Sequence, residues 1–207
     1  GDYTMAELKK LDLGYGYTAD GGKTFPLRGT GIGLMPSLDE VLTAFPERPF
    51  LVHLKSNQPQ LGSLLVEYLR SLPPERLNLL TFYGSDEPLG VIKNAFPHLR
   101  VMSKRTLIKA VVSYLVVGWT GYVPPAIQNT HLHLPLRYAR WLWGWPQRFL
   151  KRMEKANTRI VLVLGDGRWS EGFDSESDLA LLPPNYTGGI WTNRIERIGP
   201  LVKGEEQ

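Results

Sequence analysis

From residue 36 onward, the apolar and polar positions follow the periods of helices and buried strands. Short apolar runs indicate strands, and longer segments with apolar residues three and four positions apart indicate amphipathic helices. The predicted strands lie at residues 50–55, 77–83, 100–103, 159–164 and 189–192. The predicted helices lie at residues 38–45, 60–72, 88–96, 106–117 and 146–156. Residues 126–135 are expected to be irregular.

The order of strands and helices predicts βα units and a parallel sheet. About five strands with helical connections fit two architectures, an open doubly wound sheet or part of an eight-stranded barrel, and the pattern does not choose between them. Residues 1–35 are rich in Gly, Tyr and short polar residues and predict a loop region with one helical turn after Thr4. We expect residues 1–207 to form a single domain, with the βα units at 36–207.

Composition is that of a globular protein, with 43% hydrophobic and 21% charged residues. A net charge of +4 suits an anionic ligand, a membrane surface or nucleic acid, and selects none of them. The absence of cysteine excludes disulfides and thiolate chemistry. The sequence shows no signal peptide, and its apolar stretch at 110–125 is too short and too broken by Gly and Pro to span a bilayer. We expect the chain in the cytoplasm or at the periphery of a membrane.

Lys55 is the most informative single residue. It ends an otherwise apolar strand, the position at which parallel α/β folds place ligand sites, and an isolated buried ammonium group is costly. His53 lies two residues earlier and therefore on the same face of the strand. Its imidazole is suited to binding a metal or moving a proton. The alternatives are a Lys55 that simply reaches solvent and a His53 that is a hydrogen-bonded core residue.

Other candidate residues give weaker signals. His131 and His133 have the spacing of half a metal site, but no third ligand is near them in the sequence. The segment Gly165-Asp166-Gly167 follows a strand, yet it lacks the spacing of a nucleotide-binding loop and predicts a plain turn.

Three tryptophans, Trp141, Trp143 and Trp145, lie close together among basic residues. Such a segment is suited to stacking on bases or to contact with a lipid interface. The alternative is a packed loop that covers one end of the domain. Gly144 and Pro146 interrupt any continuous amphipathic helix there, which favours the packed loop.

Several motifs, taken in order, resemble the glycerophosphodiester phosphodiesterases, and in particular a bacterial subgroup. The first is Thr24-Phe25-Pro26-Leu27-Arg28-Gly29, and the second is Met35-Pro36-Ser37-Leu38-Asp39-Glu40-Val41-Leu42, which leads into the strand that ends at Lys55. Near the end of the chain, Gly188-Gly189-Ile190-Trp191-Thr192-Asn193-Arg194 is similar to the family's last barrel strand. Residues 118–124 and 141–149 resemble the bacterial subgroup. The resemblance covers roughly strands four to eight of a (β/α)8 TIM barrel, the C-terminal two-thirds of the family domain.

The resemblance implies a hydrolase that cleaves glycerophosphodiesters to glycerol 3-phosphate and an alcohol. It implies a divalent metal ion, Ca²⁺ or Mg²⁺, that polarises the phosphoryl oxygens, and it assigns to Lys55 the stabilisation of charge on the phosphoryl group. His53 occupies the position of a metal-binding glutamate in the family. Arg28 and Tyr83 are the expected substrate contacts. The expected partner is the small-molecule substrate and not nucleic acid, with a membrane contact through Trp141, Trp143 and Trp145.

The sequence departs from the family in its catalytic motifs. The family's "His-Arg-Gly", "Glu-x-Asp" and "His-Asp" motifs belong to its first three strands and have no counterpart at the start of this sequence. The one Glu-x-Asp of the chain, Glu176-Ser177-Asp178, lies near the other end and does not correspond to the family's motif. A barrel that begins at its fourth strand has two open edges. We therefore expect a longer polypeptide or a partner to cover them. The alternatives to an enzyme are a catalytically inactive barrel-like binding protein and a membrane-surface adaptor.

Overall fold

A computed structural model of the chain describes residues 3–165 and 171–203. Contacts divide the chain into two compact units, Gly1–Arg48 and Pro49–Gln207. The second unit is of mixed α/β type with parallel sheets, as the sequence predicted for that region. Of the segment Gly165-Asp166-Gly167, which the sequence predicts to be a turn, only Gly165 is among the described residues.

The first unit contains two helices, α1 (Met5–Leu8) and α2 (Leu38–Ala44). Both begin with the capping box that their sequences predict, formed by Thr4 with Glu7 and by Ser37 with Glu40. The carboxylate of Asp12 stabilises the loop between α1 and α2, because it accepts hydrogen bonds from the backbone N–H groups of Gly14, Gly29 and Gly31. The boundary between the units falls after Arg48, so α2 belongs to the first unit and not to the βα units.

The second unit contains six strands in the part of the chain that the structure describes. They are β1 (Phe50–Leu54), β2 (Leu80–Gly84), β3 (Arg100–Ser103), β4 (His131–Pro135), β5 (Arg159–Val163) and β6 (Gly189–Ile190). One parallel sheet has the order β1-β2-β3 and the other has the order β4-β5-β6. The two sheets are not closed into a barrel. Among the described residues no strand pairing joins β3 to β4. Beside them, the hydroxyl of Thr130, which precedes β4, donates to the carbonyl of Val101 in β3 at 2.9 Å.

Helices connect the strands and cover the sheets. They are α3 (Pro59–Arg70), α4 (Pro74–Leu77), α5 (Asp86–Ala95), α6 (Lys104–Val117), α7 (Leu136–Ala139), α8 (Gln147–Lys155), α9 (Glu176–Leu179) and α10 (Ile195–Lys203). Short 3₁₀ turns lie at Gly118–Thr120 and Pro125–Ile127. Within the described residues, none of the helices is long and apolar enough to span a bilayer.

The prediction of an irregular segment at 126–135 is wrong, because its second half forms β4. His131 and His133 alternate with Leu132 and Leu134, and all four side chains are buried. A strand that is buried on both faces is normally recognised from a continuous apolar run. The histidines on both sides of Leu132 interrupt that run, so the sequence pattern did not indicate a strand. The core of this unit surrounds β4 and β5, with Leu132, Leu162 and Phe149 fully buried.

The turn at the end of β2 fixes the loop that follows β1. Gly84 has a φ of +131°, and a Cβ there would lie 2.1 Å from the carbonyl oxygen of Leu54, so the position requires glycine. The next residue, Ser85, donates its N–H to the carbonyl of Leu54 at 2.9 Å and its hydroxyl to the carbonyl of Lys55 at 3.0 Å. The backbone on both sides of the Leu54–Lys55 bond is therefore held by the start of α5.

Candidate functional site

A cavity of about 380 Å³ opens at the carboxyl ends of the parallel strands in the second unit. Parallel α/β folds bind their ligands at this end of the sheet. Its lining includes side chains that carry charge or hydrogen-bonding groups. They are His53, Lys55, Tyr83, Ser103, Lys104, His133 and Trp191. Three of the predicted site residues, His53, Lys55 and Tyr83, therefore lie together.

Aromatic rings from both sheets form the wall of the cavity. The imidazole of His53 stacks on Tyr83, with ring centroids 4.2 Å apart, and Tyr83 meets the edge of His133 at 5.0 Å. Trp191, which follows β6, lies 5.8 Å from His133 and 6.3 Å from Tyr83. The stack joins β1, β2 and β4 to the end of β6, so both sheets contribute to one cavity.

The histidines of this wall are neutral at pH 7. Burial, and then the charge of Lys55, lower the pKa of His53. Burial lowers the pKa of His133 to about 4, with a smaller effect of His53. Burial also raises the pKa of Tyr83, so its hydroxyl keeps its proton. The cavity therefore combines neutral donors with the positive charge of its lysines.

Lys104 is a second lysine of the cavity that the sequence reasoning missed. It is the first residue of α6 and immediately follows β3, just as Lys55 immediately follows β1. The strand before it ends in Ser103, whose hydroxyl caps α6 by accepting the N–H of Thr106 at 3.1 Å. Applying the reasoning used for Lys55 to the strand predicted at 100–103 would have identified Lys104.

The described residues do not fit a site for a hard divalent cation. Among them, no group of three or more His, Cys, Asp or Glu side chains is arranged to hold a metal ion. The described side chains that line the cavity offer imidazoles and ammonium groups and no carboxylate. Ca²⁺ and Mg²⁺ bind oxygen ligands, so His53 alone is a poor ligand for either.

His131 lies deeper in the same wall, with its ring 5.1 Å from that of His133. It is only 1% exposed, and within the described residues neither ring nitrogen has a hydrogen-bond partner. Burial lowers its pKa to about 3, with smaller effects from the charges of His133, Arg100 and Arg159. His131 is therefore a neutral core residue below the cavity.

Arg28, the other predicted substrate contact, belongs to the first unit. Its guanidinium lies over the rings of Tyr15 and Phe25, 4.4 and 4.0 Å from their centroids. Its Nε also donates to the carbonyl of Tyr15 at 3.0 Å. Within that unit Arg28 holds a loop together.

The tryptophan-rich segment is divided between surface and core. Trp141 and Trp143 are 67% and 48% exposed, so the packed-loop interpretation is wrong for these two residues. Trp145 is partly buried and packs against Phe149, with ring centroids 5.8 Å apart. Only the first two tryptophans are available for contact with a partner.

Comparison of the chain with protein-family models, with curated proteins and with solved structures finds no significant match.

Proposed function

We propose that this chain is part of a glycerophosphodiester phosphodiesterase and that its own cavity binds the phosphodiester group. The observation that carries the proposal is the position of Lys55. It lies at the carboxyl end of β1 in a cavity that also contains Lys104, two neutral imidazoles and a tyrosine hydroxyl. The motif resemblance places the same residue type at the same strand end and gives it the role of stabilising phosphoryl charge.

The proposed architecture is part of a (β/α)8 barrel in which the two sheets are successive arcs. Three features support it. The strands within each sheet are parallel and follow chain order, the hydroxyl of Thr130 connects the ends of the two sheets, and the aromatic stack runs from β1 to Trp191. In a barrel, such inward-facing side chains from successive strands fill one interior.

Positive charge at the cavity is what binds a phosphodiester in this proposal. Lys55 and Lys104 supply ammonium groups at the ends of β1 and β3, on either side of β2, and Tyr83 supplies a hydroxyl donor. A phosphodiester carries one negative charge, and more charge develops on its oxygens as an attacking oxygen approaches. A lysine that is already in place stabilises that charge without reorganisation, and this lowers the barrier to cleavage.

The remaining catalytic groups of the family are not assigned to residues of this chain. The family's "His-Arg-Gly" and "His-Asp" motifs do not occur in the sequence. The divalent metal ion implied by the resemblance would polarise the phosphoryl oxygens, but the described donor set does not fit it. The role proposed for this chain is therefore to bind and orient the phosphodiester and to stabilise its charge.

A second candidate function is phosphoester binding without cleavage. The observation that favours it is the composition of the cavity, whose described lining has no carboxylate to hold a metal ion or to act as a general base. A protein of this kind would hold the anion with the same lysines. The two candidates therefore share the site and differ only in turnover.

An activity assay separates the two candidates. The complete enzyme, in which this chain is combined with the polypeptide that supplies the family's remaining catalytic motifs, is incubated with glycerophosphocholine, with and without Ca²⁺ or Mg²⁺, and release of glycerol 3-phosphate is followed. The enzyme proposal expects turnover that falls by about 100-fold or more in Lys55→Ala, the effect of losing a charge partner of the transition state. The matched control is Lys109→Ala, an exposed lysine of α6 outside the cavity. Binding without turnover would favour the second candidate, and neither binding nor turnover would contradict both.

A further inference from the structure

Helix α6 has an apolar face on each side. One face, with Leu107, Ala110 and Tyr114, is buried in the core. The other consists of Ile108, Val112, Leu115 and Val116, which are exposed and spaced so that they lie on one side of the helix. The side of a surface helix that faces away from the core normally carries polar residues. An apolar outer face is therefore normally covered by another element or by a partner.

Three tryptophans, Trp119, Trp141 and Trp143, extend this exposed face. We call these tryptophans, together with Ile108, Val112, Leu115 and Val116, the α6 surface. Trp119 follows α6 in a 3₁₀ turn and is 67% exposed. Trp143 lies against the helix, because its Nε1 donates to the carbonyl of Leu115 at 2.8 Å. Trp141 lies two residues before Trp143, and its ring is exposed. A group of exposed apolar side chains such as Ile108, Val112, Val116 and Trp143 marks a site of contact with a partner or a membrane.

The α6 surface is held in a fixed shape by buried hydrogen bonds. The hydroxyl of Tyr114 donates to the carbonyl of Trp143 at 2.9 Å. Arg152 Nη1 donates to the oxygen of Tyr114 and to the carbonyl of Gly118, both at 2.8 Å. The tryptophans and the helix are therefore positioned before binding, and little conformational entropy is lost on docking.

Charge around the α6 surface identifies the kind of partner. Residues 88–153 contain ten Lys or Arg residues and no Asp or Glu, although the whole chain has a net charge of only +4. Exposed basic residues border the surface, namely Lys104, Arg105, Lys109, Arg137 and Arg140. The guanidinium of Arg140 lies 5.3 Å from the centroid of the Trp141 ring. Tryptophan favours the headgroup region of a bilayer, and clustered basic residues favour anionic lipids.

We propose that the α6 surface docks on an anionic phospholipid membrane. Ile108, Val112 and Val116 enter the boundary of the acyl region, and the tryptophans and basic residues lie at the headgroups. Lys104 borders this surface and also lines the cavity, so docking brings the cavity near the lipid. The docking depends on residues outside the aromatic wall of the cavity, and it stands whether or not the cavity binds a phosphodiester.

Vesicle co-sedimentation tests the proposal on the full chain. Vesicles of phosphatidylcholine with about one-third phosphatidylserine are compared with pure phosphatidylcholine, at low and high salt. We expect binding to the anionic vesicles that weakens strongly at high salt, because the attraction is screened. Tryptophan emission should also shift to shorter wavelength on binding.

Two double variants assign the binding to the α6 surface. Trp119→Ala/Trp141→Ala removes two exposed aromatic rings, and it should weaken vesicle binding by about tenfold or more. The control, Leu64→Ala/Leu181→Ala, removes two similarly exposed apolar side chains elsewhere and should bind as the wild type does. Circular dichroism melting checks that both variants fold.

Three outcomes would overturn the proposal. The first is no binding to anionic vesicles at low salt, and the second is binding that the tryptophan variant leaves unchanged. The third is concentration-dependent self-association that the tryptophan variant abolishes while vesicles are not bound. That result would assign the α6 surface to a second copy of this chain.

Discussion

The imidazole ring of His53 lies flat on the phenol ring of Tyr83, with their planes 15° apart and their centroids 4.2 Å apart. The two residues are also direct register partners in neighbouring parallel strands. The stack limits the rotation of both rings and places them at the edge of a cavity that contains Lys55.

Replacing Gly84 should destabilise the protein because its φ is +131° and a Cβ would collide with the carbonyl of Leu54. For Gly84→Ala we expect the free energy of unfolding to fall by about 2 kcal/mol, as for a residue forced into this region of backbone space. Gly90→Ala is the matched control, since Gly90 is inside α5 with open space around it, and it should stabilise by up to about 1 kcal/mol. Urea unfolding measures both. Equal effects of the two substitutions would contradict the account of the β2 turn.

Removing the hydroxyl of Tyr114 should loosen the tryptophan-rich segment. Tyr114→Phe deprives the carbonyl of Trp143 and the guanidinium of Arg152 of a buried partner. We expect a loss of about 1 to 3 kcal/mol in the free energy of unfolding, together with a change in the near-ultraviolet circular dichroism of the tryptophans. Tyr122→Phe removes an exposed hydroxyl and should change neither quantity. An unchanged melting curve for Tyr114→Phe would show that these bonds do not hold the segment.

Acid should destabilise the protein through His131. Its pKa is lowered from 6.5 to about 3 in the folded protein, mainly by burial. Between these values only the unfolded state binds the proton, so the free energy of unfolding falls by about 1.4 kcal/mol for each pH unit below 6.5. Above pH 6.5 neither state is protonated and the effect vanishes.

The test compares urea unfolding of His131→Leu with the wild type at pH 7 and pH 5. The variant should lose less stability on acidification, and the exposed His98→Leu should behave as the wild type does. A pH dependence that is the same in all three proteins would show that His131 is not the residue that titrates on unfolding.

The sequence predicts most of the elements of the second unit because their local signals agree with their surroundings. Strand β1 is apolar at four of its five positions, and α3 carries its buried residues Leu65, Val66 and Leu69 on one face. Lys55 and His53 could be placed at the site because a charge that directly follows an apolar run is unusual, although Leu51 and His53 of β1 are exposed in the structure. The helices and strands of the second unit could be predicted because they depend on local periodicity.

The features of the fold that could not be predicted depend on long-range contacts that no local sequence pattern encodes. Strand β4 was missed because its histidines read as polar, although packing buries them. The exposed face of α6 could not be told from its buried face, since both are apolar and only the fold decides which one meets the core. The separation of the first unit after Arg48 was missed because α2 continues the helix-strand pattern without a break in composition.

The most direct test of the proposed function is whether Lys55 binds a phosphate ester. Isothermal titration calorimetry of the full chain with glycerol 3-phosphate, and then with glycerophosphocholine, measures this without requiring turnover. We expect saturable binding that weakens by about tenfold or more in Lys55→Ala, the loss of one charge-assisted contact. Lys109→Ala should leave the affinity unchanged. Binding that is equally strong in the wild type and Lys55→Ala, or no binding by the wild type, would contradict the assignment of the cavity.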